Sequence, residues 1–202
     1  MLYIPIGIPG CGKSFLAEQM VVAKIIDKYS VISSDQIRVL LTGDINCQSI
    51  NSKIFGLAHS ILETRLSFGQ DCYLDATNLI AKDLKKAIQQ AHSLDDVLLI
   101  ISDTPDDVAL ARNARRERTV PAEAMEKFIQ RQKNFDLPAV LREFPVKTVK
   151  MSEKLEEIGH VVFGQIFPPD EPVESRETPV KAPRILNSFV PAWLPLEPPF
   201  DA

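Results

Sequence analysis

Short apolar runs alternate along this chain with longer segments in which apolar positions recur every three to four residues. Leu2–Ile6, Tyr29–Ser33, Cys72–Leu74, Val97–Ile101 and Val146–Val149 are apolar or β-branched and read as buried strands, the third being the shortest. Helical patterns occupy Phe15–Ile26, Gln36–Leu41, Ser49–Phe68, Asp83–Ala91, Pro105–Arg116 and Ala122–Asn134. In the longest of these, Ile54, Leu57, Ala58, Ile61, Leu62 and Leu66 share one face, as expected of a helix laid against a sheet. Alternating strands and helices predict an α/β fold: a parallel sheet with helices on both faces. Ligands then bind at the carboxyl ends of the strands.

The first such strand end carries the sharpest motif. Gly7-Ile8-Pro9-Gly10-Cys11-Gly12-Lys13-Ser14 reads G-x-x-x-x-G-K-S, between a strand and a helix. Glycines at 7, 10 and 12 let the backbone curl so that successive N–H groups face a polyphosphate. The positive end of the following helix adds to that field. Lys13 supplies a charge near the γ-phosphate, and the Ser14 hydroxyl is suited to hold Mg²⁺. Gly7, Pro9, Gly10, Cys11, Gly12, Lys13 and Ser14 are therefore the expected nucleotide-binding residues, with ATP and Mg²⁺ as the expected cofactors. Alkylation or oxidation of Cys11 would block nucleotide; its plainer reading is a small side chain at a variable loop position.

Three further segments carry candidate chemistry. Asp35 ends the second strand, where a carboxylate faces the γ-phosphate and can accept the proton of an attacking hydroxyl; its plainer reading is the N-cap of the next helix, and a cap residue can also point into the cleft. Arg38, one turn on, shares its face and is suited to an acceptor's phosphate; otherwise it is a surface arginine. Asp75-Ala76-Thr77-Asn78 ends the third strand. Asp75 there either helps to hold Mg²⁺ or orients Arg38, while Thr77 and Asn78 are candidate caps for the following helix. Four arginines lie within seven residues at Arg112, Arg115, Arg116 and Arg118, before Pro121 opens a new helix. That exceeds what helix capping needs and predicts an arginine-bearing lid over about 112–134 that closes on ATP.

Composition narrows the picture. Of the 202 residues, 1–167 carry 20 Lys+Arg against 21 Asp+Glu, so most of the net charge of −4 falls in 168–202, with 3 against 6. A near-neutral body speaks against non-specific coating of DNA but not against binding one polyanionic end. The basic charge is concentrated between Arg112 and Lys133, seven basic residues against three acidic. Cys11, Cys47 and Cys72 have no metal-ligand spacing and fit a reduced cytoplasmic protein. No apolar stretch has membrane-spanning length, and no signal peptide is expected. Nine of the 15 prolines lie in Pro168–Pro199, predicting an extended or docked tail at 168–202 beside a kinase domain at 1–167. Trp193, Phe189 and Phe200 in that tail predict self-docking, subunit contact or a bound partner.

In combination, G-x-P-G-x-G-K-S at Gly7–Ser14, Ser34-Asp35-x-x-Arg38, Asp75-Ala-Thr-Asn78 and Arg112-Asn-x-x-Arg116-x-x-x-Val120-Pro121 resemble the P-loop polynucleotide 5′-hydroxyl kinases of the phage and bacterial end-repair type. The resemblance spans roughly residues 1–150. It implies that Asp35 is the general base, that Arg38 holds the acceptor's neighbouring phosphate and that Asp75 supports the acceptor site. It also implies that Arg116 contacts the ATP phosphates, with Arg112 nearer the nucleoside, and that homo-oligomers form through regions beyond the core. The D-x-D-G-T phosphatase motif of many relatives is absent from this sequence. The expected activity is ATP-dependent phosphorylation of a 5′-hydroxyl end of DNA or RNA. The same chemistry also serves kinases of small metabolites, sugars, nucleosides or sugar nucleotides of zeta-toxin type. A non-catalytic ATP-binding scaffold acting through its tail is the third reading.

Overall fold

A computed structural model describes residues 1–116 and 118–166. Its strands, β1 (Leu2–Ile6), β2 (Val31–Ser33), β3 (Cys72–Asp75), β4 (Val97–Ile101) and β5 (Lys147–Lys150), form one parallel sheet in the order β2-β3-β1-β4-β5. All five residues of the central β1 are buried, which is why it reads as a continuous apolar run. The helices are α1 (Lys13–Val22), α2 (Ser34–Thr42), α3 (Asn51–Ser67), α4 (Ala81–Gln89), α5 (Asp106–Ala114), α6 (Ala122–Lys133), α7 (Leu137–Glu143) and α8 (Met151–Ile166). Leu16 and Met20 of α1, Ile54 and Leu62 of α3, and Leu84 and Ile88 of α4 join Leu2, Ile4, Leu99 and Ile100 of the sheet in one core.

Pro5 lies in the central strand, where a residue without an N–H leaves a gap in the ladder. The β1–β3 register runs through Leu2–Cys72 and Tyr3–Tyr73. Beyond it, Asn78 Nδ2 donates to Pro5 O at 2.7 Å and to Leu74 O at 3.0 Å. One turn of chain thus replaces the missing rungs, and Gly7 N resumes the pattern by donating to Thr77 O at 3.1 Å. Asn78 adopts a left-handed φ of 53°, which asparagine tolerates better than most residues. It does not cap α4, whose flanking residue Ile80 makes no side-chain cap.

Several boundaries differ from the sequence expectation for local reasons. Helix α1 stops at Val22, four residues early, because Lys24 takes a left-handed φ of 56°. Lys24 N then donates to Val21 O and Ile25 N to Met20 O, the paired bonds of a Schellman ending. The residues before β2 form a short 3₁₀ turn, Lys28–Ser30, because the Asp27 side chain accepts from Tyr29 N. Strand β2, with three residues, is therefore shorter than β3, with four. Helices α7 and α8 have no counterpart in the sequence reading. Asp136 caps α7 by accepting from Ala139 N at 2.9 Å. Helix α8 begins directly after Lys150 without a turn residue, burying Met151 and Ile158.

The expectations for the tail at 168–202, its aromatic residues included, lie outside the described residues. Among the described residues no helix is long and apolar enough to cross a membrane.

Candidate active site

The loop between β1 and α1 is built by close approach. A Cβ at Gly10 would sit 2.2 Å from the Ala109 carbonyl of α5, and Gly10 has a φ of +85°. Gly12 has a φ of +107° and opens α1. Glycine is required at both positions on conformational grounds, and at Gly10 on packing grounds as well. Pro9, just before Gly10, is half-buried. Lys13 is buried, and its Nζ donates to Gly7 O at 2.9 Å and Ile8 O at 2.8 Å. Cys11 is buried, with its thiol 3.5 Å from Lys13 Nζ and its carbonyl accepting from Thr104 Oγ1 at 2.9 Å. Its sulfur faces the loop's interior, which favours the plainer reading of that residue over a reactive thiol. Beneath the loop, the Tyr73 hydroxyl donates to Lys13 O at 2.7 Å.

Asp75, at the end of β3, reaches the same place. Its Oδ2 accepts from Ser14 Oγ at 2.9 Å. Burial raises its carboxyl above the ordinary range, against the hydrogen bond from Ser14 and the charge of Lys13; the charge of Asp35 raises it further and that of Arg116 opposes this. Asp75 thus meets Ser14, and the guanidinium of Arg38 is committed elsewhere. Arg38 is 5% exposed, not a surface arginine, and its Nη1 donates to Cys47 O at 2.5 Å and Asn51 Oδ1 at 2.7 Å.

Asp35 lies in the first turn of α2, and Ser33 is the cap, accepting from Gln36 N. The Asp35 carboxylate is half-exposed. Its Oδ1 lies 3.9 Å from Arg38 Nε and its Oδ2 2.5 Å from Arg118 Nη1. An open cleft of about 440 Å³ runs from this carboxylate along α2, lined by Asp35, Gln36, Val39, Leu40 and Ile45. Apart from its acidic mouth and Gln36, its wall is apolar.

The arginine-rich segment sits over the loop. A Cβ on Gly12 would lie 3.8 Å from Arg112 Nη1, so Arg112 stands at the start of α1. The exposed Arg116 contributes its charge at Asp75. The buried Asn113 fastens the base of the turn, its Nδ2 donating to Val120 O at 2.9 Å and its Oδ1 accepting from Val120 N at 3.1 Å. From α6, Gln132 Oε1 accepts from Ile8 N at 3.2 Å. Neither Asn113 nor Gln132 stands out in the sequence as a site residue, and Arg118 stands out only as one of the cluster. The order Arg-Asn-x-x-Arg already contained Asn113. Gln132, isolated on an amphipathic helix, gave no signal.

No curated protein matches this chain. Among solved structures, a chain of the Pnkp1/Rnl/Hen1 RNA repair complex is 19% identical with a TM-score of 0.54, over 66% of this chain and 44% of that one. The present chain thus corresponds to less than half of that relative. A gluconokinase from Sinorhizobium meliloti 1021 gives 15% identity and a TM-score of 0.52, over 81% of this chain and 90% of that one. Shikimate kinase from Acinetobacter baumannii, in complex with shikimate, gives 12% and 0.52, over 81% and 93%. These likenesses establish a P-loop kinase fold. A family profile described as an AAA domain matches residues 2–138, and with its phosphate loop, parallel sheet and arginine-rich turn the chain belongs to that family.

Proposed function

We propose that this protein is an ATP-dependent kinase that transfers the γ-phosphoryl group to the 5′-hydroxyl end of a nucleic acid. The observation that carries this reading is Asp35, flanked by Arg38 and opening onto an apolar cleft. The carboxylate suits a hydroxyl, the buried Arg38 holds its helix turn beside that carboxylate, and the apolar wall suits a planar base. A sugar acid would draw on a more enclosed site rich in hydrogen-bonding groups. Small-molecule kinases share the fold across four-fifths of the chain, so their acceptors serve as the competing test substrates.

In this reading the loop N–H groups, Lys13, Arg112 and Arg116 bind the nucleotide. The acceptor oxygen attacks the γ-phosphorus in line, the bond to the bridging oxygen of ADP breaks, and the hydroxyl proton passes to Asp35. Ser14 and Asp75 present a hydroxyl and a carboxylate side by side, a hard-oxygen pair that fits Mg²⁺. When bound there, Mg²⁺ neutralises charge on the β- and γ-phosphate oxygens. This chain's own contribution is position and charge: Lys13 and the two arginines gather around the phosphates, and Asp35 orients the alcohol.

The test is a panel of labelled ATP, Mg²⁺ and competing acceptors: 5′-hydroxyl DNA, 5′-hydroxyl RNA, nucleosides, gluconate and shikimate. Phosphate on the oligonucleotide 5′ end, lost in Asp35→Asn, is the expected result. Transfer to a sugar acid with none to nucleic acid overturns the reading.

A further inference from the structure

Resting on that kinase reading, we infer that Arg118 is a specificity residue of the acceptor site, exchanging the Asp35 carboxylate for the phosphate that adjoins the incoming hydroxyl. Two guanidinium groups face Asp35, and they differ in freedom. Arg38 is buried and tied to Cys47 O and Asn51 Oδ1. Arg118 comes from the turn between α5 and α6, has its side chain 24% exposed, and meets Asp35 Oδ2 at 2.5 Å. The Arg118 guanidinium occupies the face of Asp35 Oδ2 that an incoming hydroxyl would have to reach, so the pair must open before the carboxylate can meet an acceptor. An acceptor bearing a phosphate next to its hydroxyl offers Arg118 a stronger partner, with bidentate geometry. Release of Asp35 and capture of the acceptor then become one event.

The turn itself supports this division of labour. Arg112 stands over Gly12 and Arg116 acts at Asp75, both on the nucleotide side. Arg118 lies two residues past Arg116 and pairs instead with Asp35. Asn113 and Val120 clamp the ends of the turn, so a short excursion of one side chain suffices and no large closure is required. One pinned turn thereby touches both substrates.

The experiment compares the full chain with Arg118→Ala and Arg118→Lys at saturating ATP and Mg²⁺. Two acceptors are used: a 5′-hydroxyl nucleoside 3′-phosphate and the same nucleoside without phosphate. Arg118→Ala should lower kcat/KM about tenfold or more for the phosphate-bearing acceptor and raise it a few-fold for the phosphate-free one. Arg118→Lys should fall between, and the KM for ATP should stay within about twofold. A parallel loss on both acceptors, or a raised KM for ATP, places Arg118 on the nucleotide and overturns the inference; so does no change on either. ATP hydrolysis without added acceptor is the second readout, since water then needs the same base. It should rise in Arg118→Ala and disappear when Asp35→Ala is added. A flat hydrolysis rate overturns the masking of Asp35 even if no nucleic-acid end is phosphorylated. That last outcome, with no transfer by the unmodified protein to any 5′-hydroxyl, defeats only the kinase reading.

Discussion

Ser14 Oγ donates to Asp75 Oδ2 across 2.9 Å, joining the first turn of α1 to the end of β3. The pair costs stability as well as serving chemistry, because burial raises the Asp75 carboxyl above its ordinary value. A carboxyl raised in the folded state contributes stability that is complete below the unfolded value and is lost as pH rises through the folded value. Asp75→Asn keeps an acceptor for Ser14 and removes the penalised charge. The variant should therefore melt higher than the unmodified protein at neutral pH, and the gap should vanish in acid below the ordinary carboxylate range. Transfer should fall by about a hundredfold with a higher Mg²⁺ requirement. Melting curves from about pH 2.5 to pH 8 and Mg²⁺ titrations of rate check both halves.

Asn113 should act through the turn it closes. Asn113→Ala removes both bonds to Val120 and should cost about 1–3 kcal/mol, read from thermal or urea unfolding. The loosened turn carries Arg115, Arg116 and Arg118, which are trypsin sites. Cleavage there should accelerate well before global unfolding, and transfer should fall with it. Asn113→Asp keeps one acceptor for Val120 N and should lie between the two.

How much of this was legible depended on whether a residue's signal was local. The phosphate loop, the parallel sheet and the place of Asp75 at a strand end follow from short runs and a spaced motif, whereas Asp35 lies two residues past β2 in the first turn of α2. Asn78 shows where locality fails. Its Asp-x-Thr-Asn context pointed to chemistry or capping, yet its amide completes a ladder broken by Pro5, more than 70 residues away. Helix α8 was hidden because β5 passes directly into it at Lys150–Met151 with no glycine or proline to mark the change, and Gly159 interrupts its pattern. Arg118 stood among similar residues, and only the fold distinguishes the one that crosses to Asp35.

Lys24 is the plainest opportunity for stabilisation. It holds the left-handed position of the α1 ending with a φ of 56°, where a side chain costs about 1–2 kcal/mol and glycine nothing. Glycine gives back part of that through a freer unfolded chain. Lys24→Gly should gain about 0.5–1 kcal/mol in urea unfolding with an unchanged m-value. The residue lies beyond the far end of α1 from the phosphate loop, so transfer rates should not move.

Leu40 tests the apolar wall beside Asp35. Its side chain is among the most exposed large apolar groups of the described residues, at 80%, so its replacement should leave folding intact. Leu40→Glu removes apolar surface from the cleft and sets a negative charge near both Asp35 and the acceptor's phosphate. The KM for an oligonucleotide acceptor should rise about five- to thirtyfold, the equivalent of one or two kcal/mol, while the KM for ATP holds. Leu40→Phe offers a larger apolar face and should lower the acceptor KM. If both substitutions leave the acceptor KM unchanged, the base does not lie along α2, and the acceptor approaches Asp35 from the side of the arginine-rich turn.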